Sequence, residues 1–144
     1  MEVDIPEDFV PYTASAFAST FGPVFESRSG TVPVLGVRAT QQHANSMGRV
    51  HGGLLLALSD TALGNFARSV IAESALAVTV DLSASFMAGA RIGQWIEVHP
   101  SLDRKGQSII FVSGEVRCDG SMIGKVSATF FVHYRARADR EDLT

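Results

Sequence analysis

Within the 144-residue chain, the run Asn45-Ser46-Met47-Gly48-Arg49-Val50-His51-Gly52-Gly53 is polar and rich in glycine, and it leads into a nearly apolar stretch that carries one carboxylate, Asp60. A carboxylate is costly to bury in such a stretch unless it is paired or used. The backbone N–H groups that open a helix have no intrahelical partners and sit at the positive end of its dipole, so Gly52 and Gly53 are placed to polarise a carbonyl and hold an oxyanion. The pattern reads as that of an active site.

Each of these residues has a plainer reading when taken alone. A Gly-Gly pair before a helix is often only a turn. His51 by itself fits a structural histidine, and Asp60 by itself could reach solvent or bond nearby backbone. Their combination favours chemistry. Spacing adds a constraint: Gly53 and Asp60 are seven residues apart, about 10 Å along a helix axis, whereas attack needs a separation of about 3 to 3.5 Å. The glycine end of one helix therefore cannot serve its own carboxylate. A two-fold homodimer with two composite sites, each pairing the glycines of one chain with Asp60 of the other, repairs the geometry.

The elements that would position these groups follow from periodicity. Leu54 to Ile71 is apolar around nearly the whole helix circumference, which calls for wrapping by other structure. Leu76 to Met87 alternates, with Leu76, Val78, Val80, Leu82, Ala84 and Phe86 on one face and Thr79, Asp81, Ser83 and Ser85 on the other, as a half-buried strand does. Strands are expected near Gln94 to Asp103, Ser108 to Arg117 and Met122 to Tyr134, with turns at Lys105-Gly106 and Asp119-Gly120. Two extended pieces broken at Ser29-Gly30 are expected between Val24 and Thr40. One long helix followed by an antiparallel meander is an α+β layout, a curved sheet around a central helix. Residues 1–23 read as a lead-in segment with a packing role, 24–134 as the domain, and 135–144 as a loose charged tail.

Composition narrows the function classes. Hydrophobic residues make up 46% of the chain, enough for one compact domain with a real core. The net charge of −3, with basic residues scattered, argues against nucleic acid or an anionic membrane as partner. Asp60, Asn65 and Arg68 interrupt the one stretch long enough to span a bilayer. The acidic start, Met1-Glu2-Val3-Asp4, is unlike an export signal. The single cysteine, Cys118, fits a reducing cytoplasm. No His, Cys or carboxylate group has metal-ligand spacing, so no metal or other cofactor is expected.

The set Asn45, His51-Gly52-Gly53, Asp60 and Thr79 within Val78-Thr79-Val80-Asp81 resembles the hotdog-fold thioesterases of the phenylacetate-degradation (PaaI-like) branch, over roughly residues 31 to 134. That resemblance implies metal-free hydrolysis of acyl-coenzyme A thioesters, with site residues mapping onto Asn45, His51, Gly52, Gly53, Asp60 and Thr79. It makes Asp60 nucleophile or general base, hydrogen-bonded by Thr79, with Asn45 orienting water or the loop and His51 anchoring the loop or lining the pocket. Coenzyme A would enter only as part of the substrate, its nucleotide phosphates near the turn residues Arg91, Arg104 and Lys105. A non-catalytic acyl-CoA or acyl-carrier binding module is the alternative on the same fold. Retention of Asp60 and Asn45 favours the enzyme. The small residues Ala57, Ala62 and Gly64 hint at room for an aryl or medium acyl group, and two dimers could join into a tetramer. Asp81 reads as a hydrogen-bonding or interface residue, and Trp95, His99 and Phe111 as surface or sheet-stacking residues.

Overall fold

The computed structural model describes residues 4–134, so the expected loose tail lies outside the described residues. The elements are β1 (Phe9–Pro11), α1 (Ala18–Phe21), β2 (Val24–Ser27), β3 (Leu35–Arg38), α2 (Gly52–Ser69), β4 (Ala75–Phe86), β5 (Trp95–Lys105), β6 (Ile109–Cys118) and β7 (Ser121–Tyr134), with a 3-10 turn at Gln41–His43. All strands join one antiparallel sheet in the order β1-β2-β3-β5-β6-β7-β4. This is the expected α+β layout. The hairpin between β6 and β7 turns on Asp119 and Gly120, both at positive φ (46° and 86°), the combination a two-residue type I′ turn requires.

Helix α2 lies against one face of the sheet and buries Leu54, Leu55, Leu58, Ala62, Leu63, Phe66 and Ala67 in the main core. Burying side chains of this size stabilises the fold by about 1.5 to 3 kcal/mol each. Leu58 is fully buried, and Leu58→Ala is expected to cost about 2 to 5 kcal/mol. The helix is not wrapped on all sides as expected. Leu56 is exposed, and Asp60, Thr61 and Gly64 are only partly covered, because the sheet covers one side of α2 and the other side opens on a cavity.

Strand β4 departs from simple alternation. The register with β7 runs Ala77↔Val132 and Thr79↔Phe130, then resumes at Asp81↔Thr129 and Leu82↔Ala128. Val80 is thus the extra residue of a bulge, which shifts the phase by one. Before the bulge, Ala77 and Thr79 face the helix, opposite the buried Val132 and Phe130; after it, Leu82 and Ala84 do, opposite the buried Ala128 and Val126. The expectation that Thr79 shares a face with Asp81, Ser83 and Ser85, and Leu76, Val78 and Val80 one with Leu82, is therefore corrected. Period-two reading across the segment fails because one residue sits outside the ladder. Thr79 points toward α2, while Asp81, Ser83 and Ser85 look outward, Ser83 within 3.1 Å of Ser127.

The outward face is anchored at the other side of the sheet by aromatic stacking. Trp95, 6% exposed, meets the Phe9 ring edge-on at 5.1 Å, and the Arg38 guanidinium lies 5.3 Å from the Trp95 ring centre. His99 bonds Glu97 at 2.7 Å and Phe111 stays exposed, so these two lie on the sheet surface, whereas Trp95 is a buried stacking residue under Phe9 and Phe25.

Candidate active site

The loop before α2 is closed by its own hydrogen bonds. Asn45 accepts the Met47 and Arg49 backbone N–H groups on Oδ1, at 2.9 and 3.0 Å, while its own N–H reaches the Arg49 carbonyl at 2.7 Å. An Asx-type turn of this kind is what asparagine favours. Ala44 bridges Val50, and Arg49 bridges Arg91. Asn45 therefore shapes the loop, leaving its amide NH2 as the group that can meet a water or ligand.

His51 is the N-cap of α2, its Nδ1 accepting the Gly53 N–H at 2.7 Å. Such a bond satisfies one of the orphan donors of a helix start. It also settles a distinction the sequence left open: Gly53 is committed to the cap, whereas among the described residues the Gly52 N–H donates to no acceptor. A side chain at Gly53 would collide with the capping nitrogen at 2.8 Å, while one at Gly52 would only touch the Phe86 ring at 3.6 Å. Gly52 is thus open to close approach, and Gly53 holds the helix start in place.

Asp60 stands two turns further along α2, partly covered. Its Oδ1 accepts the Thr79 hydroxyl at 2.8 Å. The bulge at Val80 makes this bond possible by turning Thr79 toward the helix. Both residues line a cavity of about 180 Å³ together with Tyr12, Thr61, Gly64 and Arg68. Tyr12 comes from the lead-in segment, whose role is thus wider than packing. Sequence reasoning missed Tyr12 and Arg68 as site residues; the four-residue spacing of Asp60, Gly64 and Arg68 on one helix stripe was the available signal for Arg68.

The structure separates the three candidate phosphate contacts. Arg91 lies beside Arg49 at the loop, near the start of α2. Lys105 donates to the Val70 carbonyl at 2.6 Å, at the other end of the helix, where a cation suits the dipole. Arg104, opposite Phe111 on β5, stands next to it. Among the described residues no group of three His, Cys, Asp or Glu side chains is gathered as a metal site would need, and no helix is long and apolar enough to cross a membrane.

The family model of the thioesterase superfamily matches residues 47–125, from the loop through α2 and the central strands. The chain belongs to the thioesterase superfamily. Its fold is the hotdog fold of those enzymes, as the motif residues implied. The chain is 33% identical over 131 residues to the Pseudomonas aeruginosa protein called "Putative esterase PA0474", covering 89% of this chain and 97% of that one. A Ralstonia eutropha structure described as a "putative thioesterase, phenylacetic acid degradation-related protein" is 24% identical with a TM-score of 0.74, over 83% of this chain and 92% of the other; it supports the fold. The BH2602 protein of Bacillus halodurans, solved with CoA, is 26% identical with a TM-score of 0.66, over 69% and 66%. Of the matched residues, His51, Gly52 and Gly53 form the start of α2, and Asp60 and Thr79 line the cavity beside the helix.

Proposed function

We propose that this thioesterase-superfamily protein hydrolyses acyl-coenzyme A thioesters to the free acid and coenzyme A without a metal, using Asp60 as general base or nucleophile. The observation that carries the reading is the Thr79–Asp60 bond at 2.8 Å in the wall of a cavity. One oxygen of the carboxylate is held, and the other takes no bond among the described residues. As a base, Asp60 takes the proton of a water whose oxygen attacks the thioester carbon. The tetrahedral oxyanion is held by the Gly52 N–H, and collapse expels the thiolate of coenzyme A, which recovers the proton from Asp60. The CoA-bound relative supports a coenzyme A ester as substrate. Arg91, with Arg49 beside it, is placed at the loop to meet the nucleotide phosphates.

The same reading requires a homodimer. Gly52 and Asp60 are eight residues apart on one helix, about 12 Å along its axis, so the two groups must come from different chains to meet one carbonyl. β4 supports this arrangement: it is a twelve-residue strand at the sheet edge, with Val78 and Val80 exposed, and an edge of that length is a template for pairing with a second copy.

Asp60→Asn tests the reading: the variant is expected to fold and to bind substrate, and to hydrolyse it at least about a hundredfold more slowly, the size of losing an acid–base group. Near-normal turnover would remove Asp60 from the chemistry, whereas a wild-type protein that binds acyl-CoA without hydrolysing it would move the reading to a binding module.

A further inference from the structure

We infer that Arg68 selects acyl groups ending in a carboxylate, so that the preferred substrates are mono-thioesters of short dicarboxylic acids; this rests on the thioester-hydrolase reading above. Asp60, Gly64 and Arg68 recur at four-residue spacing on α2 and line one cavity. Among the described residues Arg68 forms no ion pair. Its Nη2 instead donates to the Tyr12 hydroxyl at 3.3 Å, and Tyr12 is itself buried. Arg68 itself is exposed, so its guanidinium stands at the open rim of the cavity that holds the reacting carboxylate, with most of its five donors facing solvent and free to meet a ligand.

Gly64 gives an independent observation. A glycine inside a helix costs about 1 kcal/mol relative to alanine, and here no backbone crowding requires one: an added Cβ would meet only the Phe130 ring edge, at 3.6 Å. What the missing side chain provides is open floor between Asp60 and Arg68. The cavity of about 180 Å³ compares with about 150 Å³ for an apolar cavity that holds benzene, so one ring or a chain of about six carbons fills it.

Length and polarity then point to the substrate. Asp60 and Arg68 are eight residues apart, about 12 Å along the axis, and long helical side chains lean back toward the N-terminus, which brings the guanidinium toward Asp60. With the thioester carbon about 3 to 3.5 Å from its attacker, the remaining gap suits a diacid of about four to six carbons. A purely aliphatic tail offers the guanidinium no acceptor. A terminal carboxylate accepts from it in a bidentate, charge-assisted pair.

The test compares kcat/KM for succinyl-, glutaryl- and adipyl-CoA with the matched butyryl-, valeryl- and hexanoyl-CoA, and for 4-hydroxybenzoyl-CoA, on the full chain. At least a tenfold preference for a diacid thioester over its matched neutral partner is expected. Arg68→Met, which keeps the apolar stem, is expected to lower kcat/KM for the diacid at least tenfold more than for the neutral ester, with partial rescue in Arg68→Lys. Gly64→Ala is expected to fold at least as stably and to raise KM for the longest diacid first. Hydrolysis of neutral esters with no such preference, an equal loss on both series in Arg68→Met, or an Arg68-dependent preference for the hydroxybenzoyl ester over every diacid would overturn the inference while leaving the thioesterase reading intact. Absence of hydrolysis on every thioester would overturn both.

Discussion

Removing the Thr79 hydroxyl while keeping its shape probes the one bond that holds Asp60. Thr79→Val loses a hydrogen bond of 2.8 Å to a carboxylate, and bonds to charged groups contribute about 1.5 to 3 kcal/mol. Because the pair opens on a cavity rather than lying in the dry core, the lower part of that range applies, about 1.5 to 2 kcal/mol. If the bond acts by fixing the carboxylate in the transition state, kcat falls about ten- to thirtyfold, since about 1.4 kcal/mol is one decade in rate, and KM changes little. Asp81→Asn is the internal control. Asp81 lies only two residues further along β4, yet the bulge at Val80 places it on the opposite face, across from Thr129, so its kcat is expected within about twofold of wild type, as for a surface substitution. Steady-state kinetics on one thioester reads both. Wild-type kcat in Thr79→Val, or an equal loss in Asp81→Asn, would refute the assignment of faces and with it the role of Thr79.

Mixing Asp60→Asn with Gly52→Val as subunits is expected to restore about a quarter of wild-type activity, because half of randomly paired dimers are mixed and each has one intact site of two; no recovery after verified exchange would place each site in a single chain. Activity is expected to survive EDTA, and loss with recovery on added zinc would argue for a metal hydrolase. Ser59 is fully buried and its hydroxyl has no described partner, so Ser59→Ala is expected to stabilise the fold by about 1 to 3 kcal/mol, read as a higher urea midpoint at unchanged slope; a lower midpoint would reveal a partner for the hydroxyl. Burial pushes the Cys118 thiol up from its ordinary value, which keeps it protonated and unreactive at neutral pH. Iodoacetamide is therefore expected to label it only on unfolding, and rapid labelling of the native protein would contradict its burial.

Much of this was legible in the chain. The apolar run from Leu54 fixed α2 to within two residues of its observed ends, and the Asp119-Gly120 pair marked a hairpin because few other dipeptides take two positive φ values. Asn45, His51, Gly52 and Asp60 stood out because polar groups at a helix mouth, with one carboxylate inside, need a reason. Three things were hidden, each for a physical cause. The Val80 bulge leaves no mark on composition, since valine suits a paired or an unpaired strand position alike. The division of labour between Gly52 and Gly53 depends on which N–H the His51 ring reaches, a matter of local geometry. Tyr12 enters the cavity across 56 residues of sequence from Arg68, and no local pattern reports a contact of that range.

The closed loop from His43 to His51 bears on dynamics. Its ends are tied by the His51 N–H to the His43 carbonyl at 2.8 Å, and its interior by the bonds on Asn45. The Met47 and Arg49 amides share a single acceptor atom, so freeing either by rotation of the Asn45 side chain frees the other. Hydrogen exchange at these two amides should therefore proceed in step, as one small cooperative unit rather than as independently fraying bonds. A loop with so few separate ways to open has little conformational entropy left to lose when a ligand arrives, so binding at the mouth of α2 is bound to quiet it only slightly.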